Sequence, residues 1–116
     1  MLIETKTINI LGTDVSVEFR KEADDEKLED VLGYYDTSEN LIVVKIPEVE
    51  KHSVGNPEAA QKKTLRHEII HAFLHESGLY WSSAPVDAWA TNEEMVDWFA
   101  IQAPKIFKVF KELELI

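Results

Sequence analysis

Apolar and polar residues alternate along the first twenty positions of the chain. The apolar members of this alternation are Ile8, Ile10, Val15, Val17 and Phe19. A turn-prone segment at residues 12–14, Gly-Thr-Asp, separates the two runs. Because the side chains of a strand point alternately to its two faces, this pattern predicts a β-hairpin with one buried face.

A second strand pair is predicted over residues 34–46, around a turn at residues 36–40. Its β-prone part is one continuous run, Leu41, Ile42, Val43, Val44, Lys45 and Ile46. Between the two pairs, residues 24–33 predict a short helix that ends at Gly33. The apolar side of that helix consists of Leu28, Val31 and Leu32. Residues 47–56 are polar and turn-rich, which is typical of a loop.

A long helical pattern follows this loop. Asn56 suits the N-cap and Pro57 the first helical position, while Gly78 is expected to end the helix after about Ser77. Apolar residues occur on several sides of it, namely Ile69, Ile70, Ala72, Phe73 and Leu74. This distribution favours a central, buried helix.

A further helical pattern extends from Pro85 or Thr91 to Ala103. We expect Pro104 to break it and to begin a final amphipathic helix with Ile106, Phe107, Phe110 and Leu113 on one side. Strands come first and helices after them. This order predicts an α+β fold, with a small antiparallel sheet followed by helices on one face.

Length and composition restrict the class of protein. The chain has 116 residues, so residues 1–116 are expected to form one domain. The net charge of −10 argues against a nucleic-acid partner, because binding phosphate groups needs clustered Lys and Arg. There is no cysteine, which excludes disulfides and thiolate metal sites. No apolar run approaches the roughly 20 residues that span a bilayer, and none resembles a signal peptide. We therefore expect a cytoplasmic protein with no membrane partner.

Residues 67–71 carry the pattern H-E-x-x-H within the long helix. His67 and His71 lie one turn apart on one face, so both imidazoles can bind one zinc ion. Glu68 is rotated by about 100°, too far aside to be an easy ligand. It can still act as general base on a water whose pKa the zinc lowers. The motif therefore predicts a zinc site with His67 and His71 as ligands and Glu68 as base.

His75 extends the histidine series by one more turn. It lies about 12 Å along the helix axis from His67, too far for the two to share a metal ion. A pair of His71 and His75 is geometrically possible, but Ala72 follows His71, so that pair would lack an adjacent base. We therefore favour His67 and His71 as ligands and expect His75 either to contact a ligand side chain or to lie at the rim of the site.

A catalytic zinc needs a third protein ligand and an open position. Because no histidine follows His75, the ligand must be a carboxylate or His52, which we interpret as a surface residue. Downstream, Glu93 and Asp97 share a helix face, so Asp97 could orient a ligand histidine if Glu93 binds the metal. Glu94 points elsewhere and suits a capping box with Thr91, two residues before Glu93.

H-E-x-x-H followed about twenty residues later by N-E-x-x-x-D, residues 92–97, resembles the gluzincin zinc metallopeptidases. The short chain resembles the minimal gluzincins and the ImmA/IrrE-like peptidases of bacteria and phages. The resemblance covers about residues 40–102 and implies a zincin-like fold that hydrolyses peptide bonds with bound Zn²⁺. By this resemblance His67, His71 and Glu93 are ligands, Glu68 is the base, and Asp97 is the partner of a ligand histidine.

The resemblance also implies where a peptide substrate binds. In this family an edge strand before the motif helix pairs with the extended substrate, which assigns Leu41, Ile42, Val43, Val44, Lys45 and Ile46 to substrate binding. The alternative is an interior strand, for which such an apolar run is also typical. Larger gluzincins add a downstream histidine or tyrosine that stabilises the oxyanion, and none follows the Glu93 helix here. Without a motif to support them, the candidates for that role are Tyr34, Tyr35, His75 and Tyr80.

Two alternatives to a peptidase stay open. The chain could be a zinc-binding regulatory protein with little or no hydrolytic activity, although a purely structural zinc site would not need Glu68. It could also bind a partner through its acidic surface and its tryptophan-containing segments. We instead expect the tryptophans to pack in the core, as aromatic residues commonly do.

Overall fold

The computed structural model describes residues 1–48, 55–82 and 88–116 of the chain. Within these residues four strands come first and three α-helices follow, so the predicted α+β class is confirmed. The strands are β1 (Lys6–Ile10), β2 (Thr13–Arg20), β3 (Gly33–Asp36) and β4 (Leu41–Lys45). The helices are α1 (Pro57–Glu76), α2 (Leu79–Ser82) and α3 (Glu93–Glu112), and 3₁₀ turns cover Glu22–Asp24, Glu26–Leu28 and Trp89–Thr91.

The strands form one sheet in the order β1, β2, β4, β3. The two predicted pairs, β1 with β2 and β3 with β4, are antiparallel. β2 and β4 also lie side by side, and they run parallel, with Ser16 opposite Leu41 and Arg20 opposite Lys45. The sheet is therefore mixed rather than purely antiparallel, because the chain passes from β2 to the far edge before it returns as β4.

β4 lies inside this sheet, paired with β2 on one side and with β3 on the other. The prediction that residues 41–46 form a free edge is wrong. The assignment of these residues to substrate binding is therefore wrong as well; it comprised Leu41, Ile42, Val43, Val44, Lys45 and Ile46. Ile42, Val43 and Val44 are at most 1% exposed, which is typical of an apolar strand covered on both faces. The open edge beside β4 belongs to β3.

The helix predicted over residues 24–33 is wrong as well, because the helical residues of this segment belong to two short 3₁₀ turns, Glu22–Asp24 and Glu26–Leu28. Asp25 separates them in an extended conformation, and its side chain accepts the backbone N–H two residues further on at 3.1 Å. A short acidic side chain thus competes with continuation of the helix. Leu28 is buried as expected, but Val31 and Leu32 are exposed, and Gly33 begins β3.

α1 has the predicted boundaries and packs across the sheet. The Asn56 side chain accepts the backbone N–H of Ala59 at 3.0 Å, and Pro57 is the first helical residue. Gly78 follows the helix with a φ of 88°, which glycine adopts without strain. The core between helix and sheet comprises Ile10, Val15, Val17, Ile42, Val44 and Ala72.

α3 continues through Pro104, so the prediction that this proline separates two helices is wrong. A proline lacks the N–H that would bond the carbonyl four residues earlier, which is that of Ala100. Nε of Arg66, on α1, donates to this carbonyl at 2.6 Å. The carbonyl therefore keeps a partner, and the same bond links α3 to α1.

The prediction that the tryptophans lie in the core is also wrong, because Trp81, Trp89 and Trp98 are each more than half exposed. Val96 and Ala100 face the interior from α3 and are fully buried. Trp98 lies about 200° around the helix from Val96, so it points away from α1. Although these residues are exposed, no helix of the described chain is long and apolar enough to cross a membrane.

Candidate metal centre

The two histidines of H-E-x-x-H converge as their spacing predicts. Both project from α1, and their Nε2 atoms lie 3.1 Å apart. Potential ligand atoms of His67, Glu68 and His71 all lie within 4.8 Å of one another. This cluster could hold a metal ion.

Glu93 reaches the same point from the first turn of α3. Its Oε2 lies 3.1 Å from Nε2 of His67, and its Oε1 lies 3.0 Å from Nε2 of His71. For a tetrahedral zinc with bonds of about 2.0–2.1 Å, neighbouring ligand atoms lie about 3.4 Å apart. The observed separations are within a few tenths of an ångström of that value. The three side chains therefore fit a zinc ion without rearrangement of the backbone.

The start of α3 differs by one residue from the prediction. Asn92 is the N-cap, and its side chain accepts the backbone N–H of Met95 at 2.8 Å. Thr91 belongs to the preceding 3₁₀ turn, where its hydroxyl donates to the carbonyl of Ala88. The predicted capping box of Thr91 and Glu94 is therefore wrong, because the Asn92 side chain already occupies the capping position. Glu93 becomes the first residue of the helix.

Asp97 lies one turn after Glu93, beside His67. Its Oδ1 is 3.2 Å from Nδ1 of His67 and 2.5 Å from Nζ of Lys63. The hydrogen bond from Lys63, and to a lesser extent the contact with His67, lowers the pKa of Asp97. An ionised Asp97 can only accept, so it favours a proton on Nδ1 of His67 and leaves Nε2 free to act as a ligand. The sequence reasoning missed Lys63, although it stands one turn before His67 on the same face.

Glu68 is 7% exposed, which is unusual for a carboxylate. Burial raises the pKa of Glu68 to about 7; neighbouring His67 lowers it and Glu93 raises it. Burial also lowers the pKa of His71. The site thus holds a sheltered carboxyl group beside two imidazoles and a second carboxylate.

These groups open into a cavity of about 440 Å³ between α1 and β3, which we name the polar cleft. It is lined by Gly33, Tyr34, Tyr35 and Thr37 on the strand side and by His67, Glu68, His71, His75, Tyr80 and Glu93 on the helix side. The candidates for stabilising the oxyanion all border this cleft: Tyr34, Tyr35, His75 and Tyr80. The cleft therefore contains the predicted metal-site residues together with the tyrosines. His52 lies outside the described residues.

β3 presents an open backbone edge to the polar cleft. The backbone N–H of Lys45 donates to the carbonyl of Leu32 at 2.9 Å. In the antiparallel register of β3 with β4, this bond makes Tyr34 a hydrogen-bonded residue and directs the N–H and C=O groups of Gly33 and Tyr35 outward. Gly33 also permits close approach to α1, because a Cβ there would lie 2.8 Å from the Thr64 side chain. Nothing local in the sequence marks Gly33 for this role.

No family model, no curated protein and no solved structure matches this chain significantly. The chemical interpretation of the site therefore depends on its own residues and their geometry.

Proposed function

We propose that this chain is a zinc-dependent peptidase of the gluzincin type. The observation that carries the proposal is the convergence of one Nε2 each from His67 and His71 with the carboxylate of Glu93, at 3.0–3.1 Å, beside the buried Glu68. A structural zinc site would close its fourth position with another ligand. Here His67, His71 and Glu93 border an open cleft instead.

The donor set favours zinc over other ions. Two imidazole nitrogens and one carboxylate oxygen are the ligands of many catalytic zinc sites, whereas magnesium and calcium prefer oxygen ligands alone. When bound, zinc supplies Lewis-acid polarisation of a carbonyl oxygen and lowers the pKa of a water molecule.

The remaining chemistry belongs to side chains of this chain. Glu68 takes a proton from the attacking water and can return it to the leaving amine, a task suited to a carboxyl group whose pKa is raised by burial. Asp97 keeps the proton of His67 on Nδ1. These assignments need no movement of α1 against α3.

The open edge of β3 supports a peptide substrate in extended form. An incoming strand can pair with the outward N–H and C=O groups of Gly33 and Tyr35, as in other cases of β-augmentation. β3 thus takes the role of pairing with the substrate, which the sequence analysis gave to residues 41–46. The scissile bond would then lie between the edge of β3 and the three metal-side groups on the helices.

The decisive experiment compares Glu68→Gln with the wild type after both are loaded with zinc. We expect equal zinc content and a fall of about 100- to 10,000-fold in hydrolysis of casein or mixed fluorogenic peptides, since the base is lost while the ligands remain. Glu58→Gln, an exposed substitution on the same helix, should hydrolyse at the wild-type rate. Equal rates for Glu68→Gln and wild type would refute the mechanism. Zinc binding without hydrolysis by the wild type would favour a zinc-binding regulatory protein.

A further inference from the structure

The C-terminal half of α3 and the residues after it are not covered by the described part of the chain. No residue from Pro104 onward is buried, although many of them are large and apolar. The exposed side chains include Phe107, Val109, Phe110 and Leu113. Apolar surface is unfavourable in water, and a contiguous exposed patch marks a site where another molecule binds.

The apolar residues of α3 recur at alternating spacings of three and four, in a row that we name the α3 seam. Its members are Val96, Phe99, Ala103, Ile106, Phe110 and Leu113. This spacing is typical of helices that pack side by side. Val96 and Ala103, in the first half of the seam, are buried. Phe110 and Leu113, in the second half, are exposed. The packing surface of α3 therefore continues beyond the part that α1 covers.

A cavity of about 450 Å³ lies between α1 and α3, and we name it the apolar groove. Its lining consists mainly of Ile69, Ile70, Phe73, Trp89, Phe99 and Phe107. Phe99 also belongs to the α3 seam, so the groove and the seam form one continuous surface. Among the described residues that line the groove none is acidic, and Arg66 is the single cation.

Arg66 can accept an anionic partner. Its Nε donates to the carbonyl of Ala100 at 2.6 Å, and no other atom of its guanidinium is bonded to a described residue. Two copies of a chain with a net charge of −10 repel each other over most of their surface, but not at this cation. The exposed carboxylate of Glu114 directly follows Leu113 at the end of the α3 seam. The end of α3 thus combines apolar residues with an acid, which is the chemistry that the groove fits.

An antiparallel pairing of two α3 helices, centred near Phe107, brings these surfaces together. Residue 107 is equally far from residues 100 and 114, so Glu114 of each copy lies level with Ala100 of the other. Arg66 contacts Ala100 and is therefore at the same level. Phe110 of each copy then covers the groove of the other. Because the arrangement has two-fold symmetry, each contact occurs twice and the assembly is closed.

The available area suffices for a stable dimer. Five aromatic residues of the groove and the α3 seam are each 38–61% exposed, namely Phe73, Trp89, Phe99, Phe107 and Phe110. At about 200 Å² for a whole aromatic side chain, they leave roughly 450 Å² per copy in water. This is more than half of the about 800 Å² that each partner of a standard interface buries. The remainder can come from exposed apolar neighbours such as Leu11 and Leu113.

We propose that this chain forms a symmetric dimer, in which the end of each α3 lies in the apolar groove of the other copy and Glu114 pairs with Arg66. The inference is independent of the proposed function, because the groove and the α3 seam include neither His67, His71 nor Glu93.

The first test is sedimentation equilibrium of the whole chain at concentrations from about 1 to about 100 µM. We expect the wild type to have twice the mass of one chain at the upper end of this range. Phe110→Glu places a charge in the α3 seam and should weaken the dimer at least 100-fold. Ile101→Glu places the same charge on the opposite side of α3, at a similarly exposed position, and should dimerise like the wild type. Circular dichroism would verify that both variants fold.

The second test compares Glu114→Lys with Glu94→Lys. Both substitutions change the net charge equally and replace exposed residues, but Glu94 does not line the groove. Glu114→Lys should weaken the dimer about tenfold, because an ion pair is lost twice and replaced by repulsion from Arg66. Glu94→Lys should leave the dimer as stable as that of the wild type or more stable, since it lowers the charge repulsion between copies.

Three results would overturn the inference. A wild-type chain that stays monomeric at about 100 µM would show that the groove is covered by a molecule other than a second copy. A dimer that persists in Phe110→Glu would show that the copies meet elsewhere, for example at the open edge of β3. Equal affinity of the Glu114→Lys and Glu94→Lys dimers would show that the antiparallel arrangement is wrong.

Discussion

The polar cleft and a second cavity of this molecule are nearly equal in volume, about 440 and 450 Å³, yet differ in chemistry. The second is the apolar groove between α1 and α3. It is lined mainly by Ile69, Ile70, Phe73, Trp89, Phe99 and Phe107. One helix, α1, supplies a wall to both cavities. Volume therefore does not distinguish a candidate metal-binding site from a gap between helices, whereas convergence of polar groups does.

The periodicity of α1 produces this division. His67, His71 and His75 recur at a spacing of four and face the polar cleft, and Glu68 joins them there. Ile69, Ile70 and Phe73 fall between these positions and face the apolar groove. α1 therefore packs against the sheet and against α3, as a helix with apolar residues on several sides is expected to do, while one of its faces carries the polar groups.

The largest expected effect is on the zinc affinity of the polar cleft. Glu93→Ala removes a proposed ligand, so we expect at least a 100-fold loss of zinc affinity, about 3 kcal/mol. Glu94→Ala removes the same charge from the next residue of α3, which does not contact the two histidines, and should retain near-stoichiometric zinc. Metal analysis and competition with a chelator would measure both variants.

Phe73→Ala supplies the control from the apolar groove. It alters the same helix between two histidines, but on the other side, and should leave zinc affinity unchanged. Zinc loss in Glu94→Ala rather than in Glu93→Ala would mean that the carboxylate facing α1 has been misassigned. Asp97 would then lose its role beside His67.

Local signals predicted those parts of the molecule that depend on neighbouring residues. The two hairpins, the N-cap at Asn56, the end of α1 at Gly78 and the convergence of His67 with His71 all follow from short-range spacing. The order of the strands does not, because the parallel pairing of β2 with β4 joins segments about 25 residues apart. For this reason the sequence predicts an exposed edge at residues 41–46, whereas the structure places the open edge at β3.

Two further predictions are wrong because they, too, were based on neighbouring residues alone. Pro104 was expected to end a helix, but Arg66 from another helix supplies the hydrogen bond that the proline removes. No pattern around residue 104 could indicate a partner 38 positions earlier in the chain. At the start of α3, Thr91 and Asn92 are both good caps by residue type, and the structure has Asn92 in this position because Thr91 belongs to the preceding 3₁₀ turn.

A smaller effect tests the narrowness of the polar cleft. In Gly33→Ala the new Cβ would lie 2.8 Å from both the Thr64 side chain and the Val43 carbonyl oxygen, so β3 and α1 must separate. We expect a loss of about 1–3 kcal/mol in the free energy of unfolding, measured in urea. A Cβ at Gly55 would meet no atom of the described residues within 4 Å, so Gly55→Ala should change stability little. Equal stability of the two variants would show that the strand does not approach the helix as closely as described.

The smallest effect concerns the wall of the polar cleft that β3 forms. The apolar groove, in contrast, is lined mainly by helices. Tyr34 on β3 donates its hydroxyl to Asp25 at 2.5 Å, and Arg20 donates to the same carboxylate at 2.9 Å. Tyr34→Phe removes one of these bonds but leaves the ion pair. We therefore expect a loss of about 1 kcal/mol at pH 7 with unchanged zinc content.

The pH dependence identifies this bond. Burial, and then the bond to Asp25, raises the pKa of Tyr34 to about 12, whereas an unfolded tyrosine titrates near pH 10. A group whose folded pKa is raised contributes stability that is complete below pH 10 and is lost as the pH rises toward 12. Subtracting the Tyr34→Phe curve from that of the wild type cancels contributions common to both proteins, including that of Tyr35, whose pKa burial also raises. Urea unfolding at several pH values should show a difference that is constant from pH 7 to 9 and shrinks between pH 10 and 12. A difference that stays constant to pH 12 would mean that the Tyr34 hydroxyl does not donate to Asp25, and the position of β3 would then depend on its pairing with β4 and its packing against α1.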